Sequence, residues 1–157
     1  MNYYEIDHEA TKEDLKIFNY PNQKIGVISI IENNKGEILL QQRGKASQDA
    51  NYLYENIGGS VEEYDESYKE AILREIKEEA GEDIKLETSD SIGLYHYISK
   101  GINWVFIIYK FKYLGGEVKI IEKDKCLGYE FMNPEEAISS NKVSDGCREL
   151  IKSVLAN

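Results

Sequence analysis

The sequence is poor in cysteine, in basic residues and in long apolar runs, and each shortage excludes a class of protein. Its 157 residues include only two cysteines, Cys126 and Cys147, which do not have the spacing of metal ligands. No apolar run approaches the ~20 residues needed to cross a bilayer, and the first residues are too polar and acidic for a secretory signal. Without an export signal, the cysteines are expected to be reduced thiols. We therefore expect a cytoplasmic protein without a membrane partner.

Acidic residues outnumber basic ones by 29 to 19, which gives a formal net charge of −10. This balance argues against binding of long nucleic acids, whose phosphates require clusters of Lys and Arg. It does not exclude a small phosphorylated substrate, since a carboxylate-bound Mg²⁺ can bridge an acidic protein and an anionic ligand. The length and the ordinary composition, 41% hydrophobic and 31% charged, predict a single globular domain over residues 1–157.

The hydrophobic pattern predicts a mixed sheet between helices. Strands are expected where β-branched and apolar residues run together, and helices where apolar residues recur every three or four positions. The predicted strands are 25–31, 37–43, 56–62, one or two within 84–97, 104–113 and 126–132. The predicted helices are 66–80, one that begins after Asn133 as N-cap, and 144–156, while 1–22 are expected to be an edge strand or arm and 44–54 a loop. This order of elements indicates an α/β (α+β) fold.

The most unusual segment is the end of the helix predicted for residues 66–80, where Glu75, Glu78 and Glu79 follow Arg74. At about 3.6 residues per turn, the three carboxylates share an arc of about 100°. Like charges at this spacing destabilise a helix by roughly a few tenths of a kcal/mol per pair, and acids near its C-terminus oppose the helix dipole. A divalent cation is the simplest compensation, because it turns repulsion into shared ligation. A solvated, charged helix face is the alternative.

The spacing of glycines and acids resembles the signature of the Nudix hydrolase family. That signature is Gly, five residues, Glu, seven residues, Arg-Glu-aliphatic, one residue, Glu-Glu, one residue, Gly-aliphatic. From Glu66 through Gly81 the sequence matches it at every fixed position. It departs twice: six residues rather than five separate Gly59 from Glu66, and Glu82 stands where an aliphatic residue is usual. The box covers about residues 59–82, and the resemblance implies an α/β/α sandwich with a mixed sheet between helices.

The resemblance also implies which residues carry the chemistry. The carboxylates of Glu75, Glu78 and Glu79 and the carbonyl of Gly59 would bind Mg²⁺ or Mn²⁺. Arg74 lies one turn before Glu78 and would hold a carboxylate in place by a charge-assisted bond. A carboxylate must also accept the proton of the attacking water. Glu79 is the first candidate for this base and Glu78 the second.

Four more residues are candidates for the site. Glu130, on a distant predicted strand, is a third candidate for the base, because family members often recruit another acid there. Arg43 ends a strand near the glycine loop and would clamp a substrate phosphate, unless it is a plain surface arginine. Glu62 is an outer ligand of the metal–substrate site or a solvated loop acid. Tyr54 stacks on a base or packs under the loop, and packing is favoured.

Family members hydrolyse a diphosphate linked to another group, so we expect a metal-dependent pyrophosphohydrolase acting on a nucleoside diphosphate derivative. Nucleoside triphosphates, oxidised nucleotides, ADP-ribose, other nucleotide sugars and dinucleotides all stay open as substrates. A homodimer also stays open, since many members dimerise. Two alternatives share the fold: an isopentenyl diphosphate isomerase, which requires a properly placed cysteine, and a catalytically silent ligand-sensing domain. Hydrolysis that requires a metal and is lost in Glu78→Gln separates the enzyme from the sensor.

Overall fold

The computed structural model of the protein describes residues 2–45 and 52–155. Its strands are β1 (Tyr3–Glu5), β2 (Gln23–Glu32), β3 (Ile38–Arg43), β4 (Tyr54–Glu55), β5 (Gly58–Ser60), β6 (Lys85–Glu87), β7 (Ser91–Ser99), β8 (Ile102–Gly115) and β9 (Cys126–Met132). Its helices are α1 (Tyr68–Ala80), α2 (Pro134–Ser139), α3 (Asp145–Leu155) and a short 3-10 helix (Asp14–Ile17). In the described part of the chain, no helix is long and apolar enough to span a membrane.

The described strands form one mixed sheet, as predicted. Their order is β1-β7-β8-β2-β3-β4, with β5 paired to β2, β6 to β8 and β9 to β3. The central pair is parallel, from Gln23 opposite Asn103 to Glu32 opposite Lys112, and the other pairings are antiparallel. The predicted edge strand near the N-terminus is β1, which hydrogen-bonds to β7. Part of the loop predicted for 44–54 lies outside the described residues, and Tyr54 belongs to a short strand rather than to that loop.

Side chains on the central strands alternate between two cores, one on each face of the sheet. On β2, Val27 and Ile31 pack into the core that contains the buried residues of α1, whereas Ile30 packs into the core under α2 and α3. Successive residues of a strand point to opposite faces, so a nearly continuous run of β-branched residues is the pattern of a strand covered on both sides. The two helical layers make the fold the expected α/β/α sandwich.

Helix α1 begins two residues later than predicted because Ser67 caps it. The Ser67 hydroxyl accepts a hydrogen bond from the Glu70 backbone N–H at 3.1 Å, which satisfies a donor that the first turn leaves free. At the other end, the Gly81 N–H donates to the Lys77 carbonyl. Gly81 has a φ of 94°, a conformation that costs glycine no steric strain. The apolar face of the helix is buried against the sheet through Ala71, Ile72, Ile76 and Ala80.

Candidate active site

Arg74 is the centre of the polar network on α1. Its Nε and Nη2 donate to the two carboxylate oxygens of Asp65, at 2.9 and 2.8 Å. Its Nη1 donates to Glu75 at 3.0 Å and to Glu78 at 3.2 Å, and Nη2 also reaches the Ser60 carbonyl at 3.0 Å. Arginine can serve several acceptors at once because its donors lie in a rigid planar fork. The contacts tie the glycine-containing strand β5 to the acidic face of α1, and the bond to Glu78 is the charge-assisted contact expected of Arg74.

The acid that pairs with Arg74 is Asp65, whereas the sequence match placed Glu66 at that position of the box. The Asp65 side chain is only 4% exposed, and its bonds to Arg74 lower the pKa of its carboxyl group, against the opposing effect of burial. Glu66 is exposed. Five residues separate Gly59 from Asp65, as in the family signature, and eight rather than seven separate Asp65 from Arg74, so the extra residue lies after Asp65. The spacing from Gly59 was the signal that could have found it.

Gly59 leaves the space that the Glu75 carboxylate occupies. A Cβ atom at position 59 would lie 2.5 Å from the Glu75 carboxylate, closer than van der Waals contact permits. Burial raises the pKa of Glu75, and the neighbouring Arg74 guanidinium opposes that shift. The residue type at position 59 therefore decides whether a carboxylate can lie against strand β5.

Glu79 is the most deeply buried acid of the cluster. One of its oxygens, Oε1, accepts a bond from Gln41 Nε2 at 3.3 Å. The other, Oε2, is buried and has no hydrogen-bond partner within residues 2–45 and 52–155. Burial, reinforced by the charge of Glu75, raises the pKa of Glu79 to about 8. Glu78, by contrast, is 52% exposed and contacts Arg74.

The oxygen ligands that these acids offer are suited to a divalent cation. Carboxylate oxygens are the ligands that Mg²⁺ and Mn²⁺ prefer, and a buried carboxylate oxygen without a partner gains most from a nearby positive charge. Among the described residues, no three His, Cys, Asp or Glu side chains are arranged as a ready metal site. Here Arg74 supplies the positive charge that faces Glu75 and Glu78, while Gln41 holds Glu79.

A cavity of about 460 Å³ opens beside Glu79. Among the residues predicted for the site, Glu79, Gly59 and Arg43 line it. Arg43 lies 3.7 Å from the Glu55 carboxylate in the same wall. Sequence reasoning missed the rest of the wall, which comes from elements far apart in the chain: Asn56, Tyr95, Tyr97, Trp104, Phe106 and Cys147. No local pattern marks these residues, because only the tertiary structure brings them together.

Six of the predicted residues do not line this cavity: Arg74, Glu75 and Glu78 on α1, and Glu130, Tyr54 and Glu62 elsewhere. Glu130 is exposed and pairs across the sheet with Leu40, a residue of the core under α2 and α3. Its neighbour Tyr129 faces α1 instead and donates a hydrogen bond to the Glu79 carbonyl. Because successive residues of a strand face opposite sides, Glu130 points away from the α1 acids. This position does not support the prediction that Glu130 is the general base.

Tyr54 and Glu62 make local contacts. Tyr54 packs against the core under α2 and α3, in line with the packing alternative, and burial together with the Glu130 carboxylate raises the pKa of its phenol. Glu62 is exposed, and its backbone N–H donates to Asp65 at 2.8 Å. The contacts of Glu62 thus support the loop around Asp65, and a role in substrate binding stays a prediction.

Comparison with known proteins gives a clear family assignment. The family model described as NUDIX domain matches residues 22–153. The chain is similar to a MutT protein from Methanosarcina mazei Go1, at 24% identity over 88% of this chain and 97% of that one, with a TM-score of 0.75. It is also similar to a MutT NUDIX hydrolase from Burkholderia pseudomallei, at 24% identity over 85% and 99% of the two chains and a TM-score of 0.72.

A third similar structure is the NUDIX domain of Shewanella oneidensis NrtR complexed with ADP ribose. It shares 15% identity over 94% of this chain and 98% of that one, with a TM-score of 0.66. Comparison with proteins of curated function found no match.

Because the family model covers most of the sequence, the chain belongs to the Nudix family.

Proposed function

We propose that the chain is a metal-dependent pyrophosphohydrolase that cleaves the diphosphate linkage of a nucleoside diphosphate derivative. The observation that carries the proposal is the position of Glu79, a buried acid with an unpaired oxygen, in the wall of a cavity that also contains Arg43. A nucleoside triphosphate, an oxidised nucleotide, ADP-ribose or another nucleotide sugar each offers such a linkage. The proposed setting is a single domain over residues 1–157, acting in the cytoplasm.

Glu75, Glu78, Glu79 and the Gly59 carbonyl are the proposed ligands of Mg²⁺ or Mn²⁺. When bound, the cation neutralises phosphate oxygens and makes a water molecule more acidic. The contacts around Arg74 support this assignment, because they hold two of these carboxylates on one side of a rigid helix. Rigid placement is what metal ligation requires of side chains.

Glu79 is the proposed general base. Its Oε2 takes a proton from the attacking water, the water oxygen bonds to phosphorus, and the bridging P–O bond of the diphosphate breaks. Glu79 lies in the cavity wall and its Oε2 has no hydrogen-bond partner among the described residues, so this oxygen is placed to accept the proton. Glu78 is the second candidate, and Arg43 is proposed to bind a phosphate oxygen of the substrate.

A hydrolysis screen tests the proposal. Nucleoside triphosphates, oxidised nucleotides, nucleotide sugars and dinucleotides are incubated with the protein and Mg²⁺ or Mn²⁺, and phosphate or pyrophosphate release is measured. We expect release to require the metal and to fall about 10²–10⁴-fold in Glu79→Gln, the loss typical of a missing acid–base group. Glu135→Gln is the matched control, since that acid is exposed on α2 and has no proposed role, and it should retain full activity.

The two alternatives give different results in the same assay. Tight nucleotide binding without turnover by either metal would identify a ligand sensor. The isomerase alternative gains some support because both thiols, Cys126 and Cys147, line the cavity. Burial raises the pKa of each thiol, which leaves them poor nucleophiles. Conversion of isopentenyl diphosphate, lost in Cys126→Ala, would establish that alternative.

A further inference from the structure

Two buried polar groups at the cavity have no role in the chemistry proposed above. The Asn56 amide nitrogen Nδ2 and the Tyr95 hydroxyl are both buried and lack a hydrogen-bond partner in the parts of the chain that the structure describes. Both residues line the cavity, and Tyr95 is only 2% exposed. An unsatisfied buried polar group costs roughly 1–3 kcal/mol, so each such group in a native protein calls for an explanation. One explanation is a ligand that supplies the missing hydrogen-bond partners.

The orientation of the Asn56 amide is set by Cys147 on α3. The Cys147 thiol donates to Asn56 Oδ1, with 3.0 Å between sulfur and oxygen. Burial raises the pKa of this thiol far above its usual range, so the thiol keeps its proton and acts as the donor. Because the carbonyl end of the amide is occupied by a donor, the NH₂ end remains. Asn56 therefore presents its N–H donors to a ligand, while its carbonyl oxygen stays hydrogen-bonded to the thiol.

The same cavity has an aromatic wall. Tyr97, Trp104 and Phe106 are half-buried and line it. The Trp104 and Phe106 rings are nearly parallel, at 7°, with 5.3 Å between their centroids. Aromatic side chains of this kind stack on nucleobases, but stacking hardly discriminates among them, since every base has a π-face. Any choice between bases must come from the polar groups beside that wall.

We propose that Asn56 and Tyr95 select a base with an exocyclic carbonyl oxygen, such as guanine, hypoxanthine, uracil or thymine. Asn56 Nδ2 donates to that oxygen, and the Tyr95 hydroxyl accepts from the adjacent ring N–H. Adenine and cytosine carry an amino group at the same place, so the N–H donors of Asn56 would face another donor instead of an acceptor. The inference rests on the proposed function for its substrate class, and it favours oxo-base nucleotides over ADP-ribose among the substrates named above.

Binding of nucleoside monophosphates tests this selectivity without any hydrolysis. GMP, UMP, AMP and CMP are titrated into the full chain with EDTA present, followed by calorimetry or by NMR of the Asn56 side-chain amide. We expect GMP and UMP to bind about 10-fold more tightly than AMP and CMP, the effect of one net hydrogen bond. Asn56→Asp, which replaces the donor with an acceptor, should reverse the order.

Two conservative variants keep the test decisive if Asn56→Asp does not fold. Cys147→Ala allows the Asn56 amide to flip by 180°, so that it can present either end to a ligand. The preference for oxo bases should then shrink to about 2-fold or less, while the monophosphates still bind. Tyr95→Phe removes a single hydroxyl and should weaken GMP several-fold while leaving AMP nearly unchanged. A preference that survives in both variants would overturn the assignment of these residues.

The outcomes separate this inference from the proposed function. Selective binding of GMP and UMP without turnover of any diphosphate would uphold the base pocket and refute the hydrolase substrate class. Turnover at equal kcat/KM for all four bases, with unselective monophosphate binding, would refute the pocket and leave the pyrophosphohydrolase intact. Failure of all four monophosphates to bind would also refute the pocket.

Discussion

Asp65 and Arg74 form a two-point ion pair, with both carboxylate oxygens accepting bonds from the guanidinium at 2.8 and 2.9 Å. Asp65 lies in the loop after β5 and Arg74 lies on α1. The same guanidinium holds Glu75 and Glu78. The placement of the proposed metal ligands therefore depends on an acid outside their own helix.

Replacing Asp65 with asparagine should destabilise the protein by about 1–3 kcal/mol, because the amide keeps at most one of the two charge-assisted bonds to Arg74, although Glu75 and Glu78 still offset its charge. The measurement is the midpoint of denaturant unfolding. Glu66→Gln is the matched control, since Glu66 is the adjacent, exposed acid, and it should shift the unfolding free energy by less than about 0.5 kcal/mol. Equal losses in the two variants would contradict the pairing described here.

A methyl group at position 59 should collide with Glu75. We expect Gly59→Ala to cost about 1 kcal/mol, the low end of the range for overpacking, because its Cβ would lie 2.5 Å from the end of a flexible side chain that can move aside. A double-mutant cycle with Glu75→Ala checks the cause. In the Glu75→Ala background most of this cost should disappear; an unchanged cost would show that the strain lies in the backbone instead.

The stability of the metal-free protein should depend on pH through Glu79. Its folded pKa of about 8 lies above the ordinary value of 4.5, so the folded state binds this proton more tightly than the unfolded state. The stabilisation is complete below pH 4.5 and is lost as the pH rises through about 8. Glu79→Gln stays neutral throughout, and it should be more stable than the wild type by about 2–4 kcal/mol above that range.

Thermal or chemical unfolding in EDTA from pH 4 to 9 tests the Glu79 prediction. The two proteins should differ least at the acid end of this range, where Glu79 is protonated. A difference that does not grow with pH would show that the carboxylate is not buried as described.

Mg²⁺ should stabilise the protein through the α1 acids. A ligand present at about 100 times its Kd raises the free energy of unfolding by about 2.7 kcal/mol if it binds only the folded state. We expect a rise in Tm with Mg²⁺ that disappears in Glu75→Gln/Glu79→Gln. The matched control is Glu135→Gln/Glu136→Gln, which alters two exposed acids of α2 and should keep the full shift. If the Tm shift were lost only in the control variant, the cation would have to bind somewhere other than the α1 acids.

Much of the fold could be predicted because its elements are local patterns. Strand β9 was predicted with its observed bounds, Cys126–Met132, and the Asn133 N-cap accepts hydrogen bonds from Glu135 and Glu136 as expected of that residue. The acid cluster could also be predicted, since helical spacing alone places its members on one face. The orientation of Glu130 could not be predicted in this way, because the face of a strand that meets a distant helix depends on sheet register.

By itself, the sequence determined the sandwich of sheet and helices, the acidic face of α1 and the family, all of which follow from short-range spacing. Only the tertiary structure decided that Asp65 rather than Glu66 holds Arg74, that Glu130 faces away, and that Asn56 meets Cys147 across 91 positions of the chain. The physical reason is that periodicity and capping act within a few residues, whereas a cavity wall is assembled from packing contacts between segments that are distant in sequence.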